Sequence, residues 1–97
     1  MNRTQVLELL TDRHQQIAAR FGVERLALFG SAARDELGVS SDVDVLVEFI
    51  GPATFRAYMD LKIYLEDLLG RPVDLVTEKA LRHELRSNVE KEMINVA

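Results

Sequence analysis

Three acids of this sequence stand where acids are unfavourable: Asp42, Asp44 and Asp74. Asp42-x-Asp44 opens an alternating run to Ile50, in which Val43, Val45, Val47 and Phe49 share one face of an extended strand. Asp42, Asp44, Leu46 and Glu48 fall on the other, so one face is expected to pack and the other to carry acid. Alternation sets the two carboxylates roughly 7 Å apart at their origins, close enough to turn toward one cation. Like charges on a partly buried sheet face repel and lose hydration, which calls for a metal or a basic partner. A loop cap at Asp42 and a solvated edge at Asp44 would account for the same residues, since most strand acids are exposed. Asp74 tips the balance, because it lies inside Val73-Asp74-Leu75-Val76, between apolar neighbours and against strand propensity, although a solvent-facing Asp74 on an edge strand would account for it too. If its strand pairs beside that of Asp42, three carboxylates face one pocket. Oxygen-only ligands favour Mg²⁺ or Mn²⁺, and three acids can hold two such ions about 4 Å apart, the arrangement that assists in-line phosphoryl displacement.

A phosphate needs a second feature, and Gly30-Ser31 offers one. It ends the apolar run Arg25 to Phe29 and leads into a short helical stretch, Ala32 to Glu36. Glycine permits close backbone approach, and a helix start presents unpaired N–H groups. Steric demands of a strand-to-helix turn would place the same two residues there.

The elements that must position these residues follow from periodicity. Val6, Leu10, Ile17 and Phe21, with Leu9 and Ala18 beside them, recur at helical spacing up to Gly22. Thr54 can cap a helix to about Leu69 with Tyr58, Leu61, Leu65 and Leu68 as its apolar stripe, stopped by Gly70 before Pro72. Val73 to Thr77 reads as a third strand, and Leu81, Leu85 and Val89 as the apolar line of a helix from near Glu78. Met93 to Ala97 fits a short strand or a frayed tail. The resulting order predicts a single α/β (α+β) domain over residues 1–97, a mixed sheet of three to four strands with helices packed on it.

Bulk composition bounds the chemistry. The chain has 97 residues, enough for one modest core but not for a catalytic domain plus a second substrate-binding domain. It has no Cys, which excludes disulfides, thiolate zinc sites and cysteine nucleophiles. Twelve basic against sixteen acidic residues give a net charge of -4, which opposes direct nucleic-acid binding and means that a bound nucleotide needs cations to offset it. No apolar run approaches the roughly 18 residues of a membrane span, so a soluble, cytoplasmic chain is expected. His14 and His83 fall on helices with no metal-ligand spacing and are expected at the surface or in caps; Tyr58 and Tyr64 are expected to pack with their hydroxyls toward solvent.

The stretch GSAARDELGVSSDVDVLV, residues 30 to 47, resembles the signature of the DNA polymerase β-type nucleotidyltransferase superfamily, a Gly-Ser turn followed about ten residues later by Asp-x-Asp. With Arg34 and the later Asp74 it is most similar to the minimal nucleotidyltransferase (MNT) proteins, small bacterial and archaeal proteins commonly paired with a HEPN-domain partner. The resemblance implies a nucleoside triphosphate, ATP as substrate, and two Mg²⁺ or Mn²⁺ ions. It implies that Gly30 and Ser31 hold the triphosphate, that Asp42 and Asp44 bridge both metals, and that Asp74 completes the metal nearest the acceptor. Arg34 would contact phosphate or orient an acid; an exposed helical arginine is the plain alternative. Asp35-Glu36 departs from the pattern, since many relatives have Gly and a less acidic loop there, and adds negative charge beside the triphosphate.

The activity so implied is transfer of NMP, AMP from ATP, to a hydroxyl of a partner protein, a tyrosine of a HEPN toxin, with this chain acting as antitoxin. Two other readings stand beside it. One is a non-catalytic antitoxin that neutralises its partner by occlusion. The other is transfer to a small molecule, which needs a walled pocket.

Overall fold

The structure is a computed structural model that describes residues 1–38, 41–81 and 83–96, with backbone only for His83, Glu84 and Leu85. Helix α1 runs over Arg3–Phe21 and begins three residues earlier than its apolar stripe requires. The reason is a reciprocal cap: Asn2 Oδ1 accepts from the Gln5 N–H at 2.9 Å while Gln5 Oε1 accepts from the Asn2 N–H at 2.9 Å. Gly22, at φ 66, ends α1 in the left-handed conformation and turns the chain into strand β1, Val23–Phe29. A one-turn helix α2 spans Gly30–Ala33, strand β2 Val43–Phe49, helix α3 Phe55–Leu69 and strand β3 Val73–Thr77. The start and stop expected for α3 are both met: Thr54 Oγ1 accepts from the Ala57 N–H at 3.0 Å, and Gly70 closes the helix at φ 67.

The strands form one mixed sheet in the order β3-β2-β1-β4. β1 and β2 pair antiparallel, β2 and β3 parallel. A parallel pair needs a crossover, and α3 supplies it. The fourth strand, β4, is Ile94–Asn95, antiparallel to β1, so the terminal segment joins the sheet.

The last helix differs from its expected start near Glu78. A 3-10 turn, Glu78–Ala80, comes first, with the Thr77 hydroxyl accepting from the Ala80 N–H, and α4 begins only at His83 and ends at Glu92. The Thr77 cap tightens the turn and Leu81 is extended, so the helical pattern restarts after it. Leu85 and His83 carry expectations that lie outside the described side chains.

Helices α1 and α3 cover one face of the sheet. Val6, Leu10 and Ile17 of α1 and Leu61, Leu65 and Leu69 of α3 close over Leu26, Leu28, Val43, Val45, Val47, Val73 and Leu75. The opposite face carries Asp44 and Glu48, but it is not uniformly acidic. Leu46 is only 2% exposed, and its cross-strand partner Ala27 is fully buried.

One expectation on polar side chains is corrected by packing and one is met in its packing. The Tyr58 hydroxyl turns toward the sheet: it donates to the Leu75 carbonyl at 2.6 Å and ties α3 to β3. Tyr64 packs its ring on Phe21, centroids 5.3 Å apart, with the Arg20 guanidinium over both rings. Among the described residues no helix is long and apolar enough to cross a membrane.

Candidate active site

The parallel pairing of β2 and β3 sets Asp44 directly opposite Asp74. That juxtaposition follows from register: Val43 faces Val73 and Val45 faces Leu75 into the core, so the intervening residues share the outer face. The ladder is fixed at its start by the Val43 N–H, which donates to the Pro72 carbonyl at 3.0 Å, and by the Val73 N–H, which donates to Glu66 Oε2 at 2.9 Å.

Asp44 is half-buried and hydrogen-bonded to Asp74, and its carboxyl is pushed up from an ordinary 3.8 to about 6. Burial is the largest cause, followed by the charge of Asp74, the hydrogen bond with it, and the charge of Asp42; the Ser31 backbone N–H, which donates to Asp44, opposes the rise. Asp42 and Asp74 are exposed, and Asp42 reaches Asp44 by charge alone. Among the described residues no three acids or histidines form a ready-made metal cage. Structure therefore brings Asp44 and Asp74 into contact and leaves Asp42 at their side.

Gly30 takes φ 62, which L side chains rarely adopt, and a Cβ built there would overlap the Asp44 carboxylate. The sequence suggests that glycine is needed for backbone approach to phosphate. Here it has a further task, because the Asp44 side chain occupies the space that any larger residue would fill. Ser31 is the next residue, and its N–H already serves Asp44. The turn and the acid are thus one unit.

The Arg34-Asp35-Glu36 stretch departs from the expected short helix over Ala32 to Glu36. Arg34 caps α2, and Asp35 adopts φ 60. The Asp35 carboxylate accepts from the Arg3 N–H at 2.8 Å, and the Arg3 guanidinium donates to the Ala33 carbonyl at 3.1 Å. Asp35 is therefore bound to the start of α1, so its charge is partly spent. Arg34 is exposed, with Nε on Glu36 Oε1 at 3.1 Å and Nη1 on Glu92 Oε2 at 2.9 Å. The acids that it contacts are these two glutamates and not the aspartates.

Two residues at the site have no signal in the sequence. Arg71, between Gly70 and Pro72, donates from Nη1 to the Gly38 carbonyl at 2.8 Å and to the Ser41 carbonyl at 3.4 Å, tethering the loop that leads into Asp42. Glu92 meets Arg34 from 58 positions away. A cavity of about 890 Å³ opens elsewhere, at the far ends of β2 and β3, between Phe49, Phe55, Tyr58 and Leu75. Asp42, Asp44 and Asp74 do not line it. We place the site at the carboxylates, where titratable groups converge.

Those carboxylates fit a hard divalent cation. Every donor is oxygen, two touch, and one holds its proton to unusually high pH because it is partly buried beside two other acids. A stability prediction follows. The folded chain binds the Asp44 proton more tightly than the unfolded chain, so ionisation of Asp44 costs stability that is fully retained below about pH 4 and lost as pH rises through about 6. In EDTA, Asp44→Asn is expected to melt above the native chain at pH 8, with the difference vanishing toward pH 4. Mg²⁺ should raise the native melting temperature and raise the variant's less, by mass action. A difference between the two proteins that ignores pH would show that Asp44 is not the strained group.

The chain, with a Gly-Ser turn seated on an Asp-x-Asp strand and a third aspartate in register beside it, belongs to the nucleotidyltransferase domain family, which it matches over residues 11–96. Its relatives narrow the class. Over 92 residues it is 36% identical to the protein adenylyltransferase MntA of Thermococcus cleftensis, an alignment covering 95% of this chain and 93% of that one. A solved structure assigned to a minimal nucleotidyltransferase superposes with a TM-score of 0.76 at 42% identity, covering 91% of this chain and 93% of the other. The fold also matches, at TM-score 0.68 and 19% identity over 94% of this chain and 71% of that one, a structure of the tri-AMPylated HEPN toxin of Shewanella oneidensis in complex with its MNT antitoxin. The chain is a nucleotidyltransferase of the MntA-like, minimal kind.

Proposed function

We propose that this chain transfers AMP from ATP to a hydroxyl of a partner protein, a tyrosine of a HEPN toxin, and thereby acts as its antitoxin. The observation that carries the reading is the Asp44–Asp74 pair seated against Gly30-Ser31 with Asp74 exposed, so that an acceptor can approach from outside. Asp42, Asp44 and Asp74 would hold two Mg²⁺ or Mn²⁺ ions, which supply charge neutralisation for the leaving pyrophosphate and lower the pKa of the acceptor hydroxyl. Gly30, Ser31 and Arg34 bind the triphosphate. The acceptor oxygen forms its bond to the α-phosphorus as the bond to pyrophosphate breaks, and the hydroxyl proton leaves to a carboxylate of the cluster. Positioning is most of the task, as in other phosphoryl transfers.

The relatives support the choice of acceptor: one is named a protein adenylyltransferase, and one fold neighbour was solved beside an AMPylated toxin. A partner has to bring the acceptor, since the carboxylates sit on an open sheet face and the large cavity is elsewhere. The test is incubation of the chain and its copurified partner with α-³²P-ATP and Mg²⁺, followed by mass analysis of the partner. Label on a partner tyrosine is the expected result. Neutralisation of the partner with no label on it would instead establish occlusion, and label on a small molecule alone would move the acceptor out of the protein class.

A further inference from the structure

The Gly-Ser turn and the end of α4 are neighbours because of the sheet. β4 follows α4 directly and pairs antiparallel with β1, placing Ile94 opposite Leu28, two residues before Gly30. Glu92 therefore arrives at the turn, and its Oε2 lies 2.9 Å from Arg34 Nη1. Glu36, just beyond α2, takes the Nε of the same guanidinium at 3.1 Å. One arginine thus has two carboxylates on it, from the two ends of the chain's long separation.

From this geometry we infer that Glu92, together with Glu36, is the resting counter-ion of Arg34, and that an incoming triphosphate displaces them, so that these glutamates set the chain's affinity for nucleotide. The inference rests on the reading of Arg34 as a triphosphate ligand. The exchange is energetically open. All three side chains are substantially solvated, at 44%, 61% and 42% exposure for Arg34, Glu36 and Glu92. Ion pairs that exposed are each worth at most about a fivefold factor in an equilibrium. A polyphosphate carries more charge than a carboxylate and accepts both guanidinium edges at once, so it outcompetes them. The cost is that two negative charges stay beside the bound triphosphate in a chain whose net charge is already -4. Glu92 also makes nucleotide binding compete with the tether between α4 and α2.

The test is ATP affinity of the full chain in Mg²⁺ at low ionic strength, for Glu92→Gln, Arg34→Gln, the double variant, and Glu90→Gln as a control that removes the same charge from an exposed position of the same helix. Glu92→Gln is expected to tighten ATP binding roughly three- to fivefold, the release of one exposed ion pair. Arg34→Gln should weaken it, and Glu92→Gln should gain much less in the Arg34→Gln background, while Glu90→Gln stays near native. If Arg34→Gln weakens binding but Glu92→Gln behaves as Glu90→Gln does, the counter-ion role is overturned while the phosphate role of Arg34 stands. Native affinity in Arg34→Gln would overturn both. Melting curves of each variant confirm that it is folded.

Discussion

Asp74→Asn is expected to keep most of its ATP affinity and to lose transfer by two orders of magnitude or more. The structure gives the reason for both halves. Asp74 is exposed, on the side from which the proposed acceptor would approach, whereas Asp44 is seated against the Gly30-Ser31 turn. An asparagine at 74 can still hydrogen-bond Asp44, and it removes the charge that contributes to raising the Asp44 carboxyl, so Asp44 ionises more readily and nucleotide binding through Asp42, Asp44 and the turn is preserved. The acceptor-side carboxylate is lost, and what it provides is realised chiefly in the transition state, so the rate falls far more than the affinity. ATP affinity and the rate of AMP transfer to the copurified partner, measured on the same preparations, decide the matter. Native transfer by Asp74→Asn would end the three-aspartate mechanism.

Gly30→Ala is expected to abolish transfer and to weaken ATP binding at least tenfold. Two costs combine at this position. The left-handed backbone at φ 62 disfavours any side chain, by about 1–2 kcal/mol, and the added Cβ meets the Asp44 carboxylate. The second cost distinguishes this glycine from its counterparts. Gly22 and Gly70 share the left-handed backbone, at φ 66 and 67, yet a Cβ at either has nothing within 4 Å. Gly22→Ala and Gly70→Ala should therefore lose comparable stability from backbone strain and keep native transfer. Melting temperatures and transfer rates for the three variants separate strain from site disruption. Equal transfer in all three would show that Gly30 is only a turn residue and that Asp44 does not depend on it.

Both expectations depend on one register. Slipping β3 by one residue against β2 would move Asp74 to the core face and Val73 or Leu75 to the outer one, at a burial cost that the structure cannot bear. The apolar residues Val43, Val45, Val73 and Leu75 therefore do more than fill the core. They fix which carboxylates meet.

Alternation and helical spacing were enough to place α1, α3, β2 and β3, because burial of one face writes its period into the chain, whereas β1, with Leu26, Ala27 and Leu28 all buried, was legible only as an apolar run from Arg25 and begins two residues earlier, at Val23. Thr54, Gly70 and Pro72 bounded α3 and β3 within a residue, since caps act through neighbours in sequence. The Gly-Ser turn and Asp-x-Asp were legible for the same reason: ten residues of local spacing carry them. What the sequence could not decide is what meets across the sheet. That Asp74 opposes Asp44, that Gly30 yields its side-chain space to Asp44, that Asp35 caps α1 through Arg3, and that Arg34 is held by Glu92 all depend on contacts between residues 14 to 58 positions apart. The same holds for the Tyr58 hydroxyl, which packing turns inward to Leu75, and for Arg71, whose hold on the Asp42 loop leaves no mark on its neighbours. Local pattern specifies which face of each element is apolar; strand register and helix docking, set by burying those faces together, determine which polar groups are left side by side.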